Sequence, residues 1–324
     1  MNETVGFWRK LCCIPKRLDG KIGIITECYI GPGLNIVGEV VRRGAVVIMA
    51  CQDMDMAESV KIHLLEKYSI RNPDHLKTDI ACKEIIPCLT PVEAHQLVIE
   101  VVNFTSLKSV KDFANRMIKT YDKLDFLINN PALRNIEKYT TTIDGFEMTM
   151  GVNYFASFLL TKLLLPLLSR GSSSRIINVS FTNHLHSHLN KPDLQMSESN
   201  YSGVRAYNHS QLANIMHTIG LNQYLKHTDI MVVSAHSGFI KAEVARNFKS
   251  FINEIADFLA TPLFFSQWEM AQTVLYTLLT EKLIPGGYYK NCQLKTLPSV
   301  ITDSKETKCL WDKTCELLRL HFQQ

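Results

Sequence analysis

A tyrosine that trades a proton with a hydroxyl or carbonyl needs a neighbour that makes its phenolate accessible. An unperturbed phenol titrates near ~10, and a nearby cation favours the ionised form. Tyr207 lies in the run Tyr207-Asn208-His209-Ser210-Gln211, and the residue four places on is Gln211. Glutamine hydrogen-bonds but carries no charge. Tyr207 therefore has the chemistry of a general acid without the cation that would tune it.

A second constellation lies near the N-terminus. The apolar run Lys21 to Thr26 is followed by Glu27-Cys28-Tyr29-Ile30-Gly31-Pro32-Gly33 and then a helical stretch. Glycines between a strand and a helix let the backbone approach a pyrophosphate seated on the helix N-terminus, the arrangement of a dinucleotide site. Gly31 and Gly33 fit that role, while Glu27 stands where the first glycine belongs and brings bulk and negative charge. Pro32 removes one backbone donor. After the second strand, Ala50-Cys51-Gln52-Asp53 offers Asp53 to a ribose hydroxyl, and Gln52 stands where an arginine for a 2′-phosphate could be. Arg42 and Arg43 lie upstream, so NAD and NADP both remain open.

Metal chemistry is less well supported. Cys82, Cys88, His75 and His95 match no zinc spacing, and His184, His186 and His188 alternate in what reads as a histidine-rich loop. No metal site is expected. The nine cysteines form no regular pairs, which reads as reduced thiols on the cytosolic side.

The elements that would position these residues follow from periodicity. Short apolar runs at Lys21 to Thr26, Ala45 to Ala50, Leu97 to Asn103, Phe126 to Asn129, Arg175 to Ser180 and Ile230 to His236 read as strands, with a last one near Gly287 to Tyr289. Helical patterns fill Asn35 to Arg43, Met56 to Tyr68, Ser109 to Tyr121, Gly145 to Leu168, Ala206 to Tyr224 and Gln267 to Thr280. Continuous apolar strands alternating with helices imply an α/β fold, a single doubly wound domain with a mostly parallel sheet flanked by helices. Residues 20–324 form this domain behind a leader of residues 1–19. Residues 72–95, broken by Pro73, Pro87 and Pro91, read as an inserted surface loop, and 245–266 as a lid-like segment on the substrate side.

With 324 residues, a net charge of +4 and no basic stripe, nucleic acid is not an expected partner. No run of eighteen apolar residues suggests a transmembrane helix, no signal peptide is seen, and Phe155 to Leu168 reads as core. The stretch Phe7 to Arg17 reads as a leader ahead of the first strand, or as a membrane-surface element acylated at Cys12-Cys13. The expected location is cytoplasmic, with peripheral attachment to the endoplasmic reticulum face as the variant.

Several further segments carry a resemblance. They are Arg42-Arg43-Gly44-Ala45, Leu127-Ile128-Asn129-Asn130, Asp144-Gly145-Phe146-Glu147, Gly151-Val152-Asn153-Tyr154, Arg175-Ile176-Ile177-Asn178-Val179-Ser180, Leu212-Ala213-Asn214 and Gly286-Gly287-Tyr288-Tyr289. In this order and spacing, from about Gly20 to Leu318, the chain resembles the short-chain dehydrogenase/reductase superfamily, in its retinol-dehydrogenase-like branch. The resemblance implies a Rossmann-type fold, an NADP or NAD cofactor, and hydride transfer assisted by a tyrosine, a lysine, a serine and an asparagine.

Residue by residue, Tyr207 matches the tyrosine and Asn153 the asparagine, which supports a proton-relay water. The lysine position is Gln211 and the serine position is Phe181, Ser180 matching only the preceding serine. Asn129 and Gly238 match cofactor-side positions. Pro131-Ala132 replaces Ala-Gly, Asn103 replaces an adenine-contacting aspartate, and Ser237 replaces a proline. Changes gathered at one crevice imply a catalytically impaired member that binds a protein partner or a nucleotide weakly. The alternative is an active NADP(H)-dependent oxidoreductase acting on retinoid, steroid or other lipid-like carbonyls or alcohols. A homodimer through the helices holding Asn153 and Tyr207 is implied by analogy.

Overall fold

Apolar runs pair into one sheet because their backbone groups must be hydrogen-bonded once water is excluded. The computed structural model describes residues 10–29, 32–73, 75–78, 80–131, 133, 136–181, 189, 193–238 and 266–320. The strands are β1 (Ile22–Thr26), β2 (Val46–Cys51), β3 (Leu97–Val101), β4 (Phe126–Asn129), β5 (Arg175–Ser180), β6 (Met231–His236), β7 (Tyr288–Lys290) and β8 (Gln293–Lys295). They lie in the order β3-β2-β1-β4-β5-β6-β7-β8. The first seven pair in parallel, and β8 returns antiparallel beside β7.

Helices cover both faces. They are α1 (Gly33–Val41), α2 (Met54–Lys67), α3 (Leu107–Thr120), α4 (Met148–Leu168), α5 (Gly203–Tyr224), α6 (Gln267–Leu279), α7 (Ser299–Thr302) and α8 (Ser304–Leu317). Side-chain caps set several starts: Asp53 accepts from Met56, Ser106 from Ser109, Ser202 from Arg205, and Ser266 with Glu269 closes a capping box. One core layer joins Ile24, Leu127, Ile176 and Val232 to α3, α4, α5 and α8. The other joins Ile25, Met49, Ile128, Ile177 and Val233 to α1, α2 and α6. Each fully buried aliphatic side chain there contributes roughly 1.5–3 kcal/mol relative to exposure.

The expected doubly wound sheet is present, with boundaries shifted by one or two residues. β8 and the C-terminal helices were not anticipated. β8 has only three residues, and its turn uses Asn291 and Cys292, both at positive φ (53° and 55°), as a two-residue hairpin requires. α8 lies on α5: Trp311 meets the rings of Phe158, His217 and Tyr224, and Tyr154 Oη bonds Thr314 Oγ1 at 2.8 Å.

The amino-terminal segment differs from expectation where it is described. Residues 10–18 run across the domain. Lys10 N–H donates to Asn291 Oδ1 (2.8 Å), Cys12 N–H to Gln272 Oε1 (3.1 Å) and Leu18 N–H to the Arg43 carbonyl (2.7 Å). Cys12 is buried and Cys13 forms a disulfide with Cys82. An acylated cysteine pair and a fully reduced thiol set are thus both corrected; seven cysteines are free. The disulfide fastens the segment to the stretch between α2 and β3, which contains the 3₁₀ stretch Ile80–Cys88 and a small cluster of Cys82, Ile85 and Leu89.

Met148–Leu168 is, among the described residues, the helix long and apolar enough to cross a membrane by length and composition. Polar positions such as Asn153 and Lys162 interrupt its apolar residues, so no unbroken apolar run marks it in the sequence. Of its most apolar window, 78% is buried inside the domain, where it serves as a core helix.

Candidate functional site

The strand order reverses between β1 and β4, and in such sheets the ligand crevice opens beyond the carboxyl ends of those strands. Thr26 and Glu27 leave β1 there, beside Asn129 and Asn130 of β4. Thr26 Oγ1 accepts from Asn130 N–H at 2.9 Å, and Asn130 Nδ2 donates to the Glu27 carbonyl at 3.0 Å. Glu27 N–H donates to the Ala50 carbonyl at 2.8 Å. These bonds hold Glu27 at φ 49°, the left-handed conformation that a glycine would adopt without strain. Gly33 opens α1 so close to the preceding turn that a Cβ would lie 2.8 Å from the Cys28 backbone. Gly31 lies outside the described residues.

The Glu27 carboxyl is buried, and burial pushes its pKa up to about 7 against the opposing hydrogen bond from the Tyr29 phenol. Among the described residues, Thr26, Glu27, Phe104, Asn130, Pro131, Val152 and Ser157 line a small recess beyond these strand ends. Ala132, which stands where the resemblance implies a glycine, lies outside the described residues.

On the catalytic side, the structure brings Tyr207, Phe181, Gln211 and Asn153 together. Tyr207 on α5 packs with Phe181 in one apolar cluster, each less than a tenth exposed. Gln211 is fully buried; its Oε1 accepts from the Phe181 N–H at 2.9 Å, and its Nε2 donates to Ser210 Oγ at 3.4 Å. The amide faces the backbone at the serine position, rather than standing ready for a ribose. Asn153 sits in the π-helical turn Gly151–Ala156 of α4, a distortion often found at functional sites. Its Nδ2 donates to the Leu133 carbonyl (2.9 Å) and Ser210 Oγ (3.1 Å), and its Oδ1 accepts from Leu133 N–H (3.0 Å). Asn214 Nδ2 donates to the Asn153 carbonyl at 3.1 Å.

The remaining expected residues are placed as follows. Asn129 is part of a buried polar chain, donating to Asn178 Oδ1 (2.8 Å) and Thr161 Oγ1 (3.0 Å). Asn178 Nδ2 in turn reaches Thr218 Oγ1 at 2.9 Å. Gln52 and Asp53 are exposed at the end of β2, where Asp53 Oδ1 caps α2 by accepting from Met56 N–H at 2.9 Å. Gly238 has φ 98° and donates its N–H to His236 Nδ1 at 2.9 Å. Ser180 is buried and lies on the opposite side of its strand from Phe181.

Arg42 and Arg43 are both buried in an ion cluster around Glu39, at 2.9 and 2.7 Å. Neither guanidinium is available to a 2′-phosphate. Among the described residues no group of three metal ligands occurs. The histidines at 184, 186 and 188, Thr182, and positions 245–265 of the expected lid lie outside the described residues.

Sequence reasoning missed Tyr29 and the Phe181–Gln211 bond. The first is a single aromatic residue in a turn, which no periodicity marks. The second joins positions thirty residues apart, and only the register of β5 against α5 reveals it. As described, these residues do not fit a dinucleotide: a buried carboxyl occupies the turn, and the cation position is neutral and engaged.

A family model for short chain dehydrogenases matches residues 76–253. Retinol dehydrogenase 12 of Mus musculus is 31% identical over 97% of this chain and 91% of its own length. Retinol dehydrogenase 11 of Homo sapiens is 31% identical, covering 96% and 89%. Among solved structures, an uncharacterised protein from Mycobacterium Paratuberculosis superposes with a TM-score of 0.71 at 24% identity, over 98% of this chain and all of that one. A short chain dehydrogenase from Shigella flexneri complexed with NADP gives 0.59 at 16% identity, covering 86% and 100%. At these identities the structures speak for the fold.

Proposed function

The chain belongs to the short-chain dehydrogenase family, and from that premise we propose that it is a retinol-dehydrogenase-like member whose oxidoreductase chemistry is impaired. Its role is then binding, of a protein partner or a lipid-like molecule. The observation that carries this reading is the hydrogen bond from Phe181 N–H to Gln211 Oε1. A lysine there would add the charge that stabilises a phenolate, and a serine at 181 would hold the substrate oxygen. Here the Gln211 amide is engaged with the backbone at 181, and a ring stands where the serine would be. Loss of general-acid tuning and of one oxygen contact each lowers rate by roughly 10²-fold or more, not additively.

A second reading, an NADP(H)-dependent oxidoreductase acting on retinoid or other lipid carbonyls, is favoured by one observation. Tyr207 and Asn153 are both present and linked through Ser210, whose Oγ accepts from Asn153 and donates to the Tyr207 carbonyl at 2.8 Å. The deciding experiment titrates the protein with NADPH and NADH by nicotinamide fluorescence and assays all-trans-retinal. The impaired reading expects no saturation at micromolar cofactor and no turnover. Micromolar binding with turnover abolished in Tyr207→Phe would overturn it. Peripheral attachment to a membrane and a homodimer belong to the same proposal, read by vesicle flotation and by light scattering.

A further inference from the structure

At the amino end of the sheet, away from the crevice, lies an open groove of about 380 Å³. Small-molecule sites are commonly of this size, roughly 300–1,000 Å³. Gly286 N–H donates to the Val232 carbonyl at 2.7 Å and Tyr288 pairs with Ser234, which sets the approach to β7 beside the amino half of β6. The last turns of α5 form one wall of the groove, and β8 with the segment leading to α7 forms the other. Glycines fit these parts together. Gly286 has φ 75°, and a Cβ on Gly287 would lie 2.9 Å from Leu294 Cδ1 and 2.8 Å from the Ile284 carbonyl oxygen.

The lining divides by polarity. Ile219, Pro285, Tyr288, Leu294 and Leu297 supply apolar surface, and Leu294 is 50% exposed on the edge strand. Asn222, Gln223, Thr296 and Thr302 add neutral hydrogen-bonding groups, and Lys295 is the single charge. No carboxylate lines the groove, and residues 282–302 hold three lysines without an aspartate or glutamate. Lys295 Nζ donates to Gln293 Oε1 at 3.1 Å, and an ammonium has further protons to offer an acceptor. Burial, and then the charge of Lys295, lower the Lys290 pKa, a repulsion that a bound anion would relieve. The carboxyl end of α5 carries partial negative charge, so an acidic head group would sit on the β8 side, at Lys295.

We propose that this groove binds a single-chain lipid carboxylate, with its acid group at Lys295 and its chain along Leu294, Leu297 and Ile219. A molecule of this kind uses both halves of the lining. A small anion would leave the apolar wall in water, and a neutral lipid would leave the ammonium without a counter-charge. Tyr207 and the groove lie at opposite ends of α5, roughly 18–24 Å apart along the helix. The site therefore stands whether or not the crevice holds a dinucleotide, and it gives the proposed binding role a ligand class and a place.

The test is calorimetric titration of the full chain with octanoate, decanoate and dodecanoate, and with decanol as the neutral probe, in wild type, Lys295→Gln and Leu294→Asp. Both positions are exposed, so both variants should fold, and far-ultraviolet melts check that they do. The expected affinity rises up to about fourfold for each methylene added. In Lys295→Gln it falls about 10-fold or more for the carboxylates and hardly changes for decanol. In Leu294→Asp it falls for every probe. No carboxylate binding by folded wild type, or equal carboxylate affinity in Lys295→Gln, would overturn the proposal. Flotation with phosphatidylcholine vesicles, with and without phosphatidylserine, separates a membrane from a free acid. Association with the phosphatidylserine vesicles alone, without affinity for free acids, would also overturn it and mark the β7–β8 hairpin as a membrane contact. No probe carries a nucleotide, so failure here is distinct from failure of the impaired-site reading.

Discussion

The Phe181 N–H donates to Gln211 Oε1 at 2.9 Å, with both residues at most 1% exposed. The bond ties the carboxyl end of β5 to the third turn of α5. It engages the side chain at one departure from a working hydride-transfer site with the backbone at the other. A neutral amide can satisfy a buried backbone donor at this place, and an ammonium cannot accept a hydrogen bond at all.

Restoring the family's residue types should therefore damage the fold before it helps chemistry. Gln211→Lys leaves the Phe181 N–H without its acceptor, a loss of about 1–3 kcal/mol, and places an ammonium where there is no exposure. Its melting temperature should fall, and the pair Gln211→Lys with Phe181→Ser should show no NADPH-dependent reduction of retinal. Activity is expected only when Glu27→Gly is added. Turnover by the pair alone would show that the phosphate turn tolerates Glu27.

Two buried groups set the pH dependence of stability with opposite signs. His217 lies among the rings of Tyr154, Phe158 and Trp311, and burial lowers its pKa from 6.5 to about 3. The unfolded chain then binds its proton more readily, so this contribution is complete above 6.5 and is lost as pH falls toward 3. The shift corresponds to stability on the order of 5 kcal/mol. Glu27 acts the other way: raised from 4.5 to about 7, it favours the fold below 4.5 and loses that contribution as pH rises through 7. Denaturant titrations at several pH values should show the acid limb flattened in His217→Phe and the alkaline limb flattened in Glu27→Gln. Unaltered profiles would sink both assignments.

The disulfide between Cys13 and Cys82 closes a sequence separation of 69 residues. Chain-entropy arguments assign such a closure about 4 kcal/mol, an upper figure in practice. Dithiothreitol, or Cys13→Ser, should lower the melting temperature and open the chain to protease near Ile80–Cys88. Differential alkylation followed by mass spectrometry should find Cys13 and Cys82 linked in protein kept under oxidising conditions. Alkylation of both in the unreduced protein would refute the pairing.

Most of the sheet was legible because buried parallel strands are unbroken apolar runs: Ile22–Thr26 and Val46–Cys51 could hardly be anything else. The site was legible by type and not by arrangement. Gln211 and Phe181 could be named as departures, yet their mutual bond depends on register. Asp53 was read as a ribose acceptor, but the same carboxylate chemistry suits an N-cap, and α2 takes it. Cys13 and Cys82 carry no spacing signal, since a disulfide depends on proximity through the fold. Arg42 and Arg43 had a signal that was passed over: Glu39 precedes them by three and four positions, which places all three on one helical face.

That cluster gives the last prediction. Glu39 bonds both guanidiniums and receives Trp268 Nε1–H at 3.4 Å, while Arg42 stacks 4.4 Å from the Tyr68 ring centroid. Burial alone would raise the Glu39 pKa, but the two arginines more than offset it and hold the carboxylate ionised. Glu39→Gln leaves two buried cations without a counter-charge, and breaking such a pair costs about 3–5 kcal/mol. Replacing Glu39, Arg42 and Arg43 together by leucine or methionine should cost much less than Glu39→Gln alone, because no charge is stranded. Arg42 also donates to the carbonyls of His75 and Lys77, so Glu39→Gln should loosen the chain around these residues in hydrogen exchange before the sheet opens. Because the arginines face this cluster, Arg42→Ala in a Glu27→Gly background should lower stability while leaving the ratio of NADPH to NADH affinity unchanged. A ratio that falls several-fold towards NADH would place Arg42 at the 2′-phosphate after all.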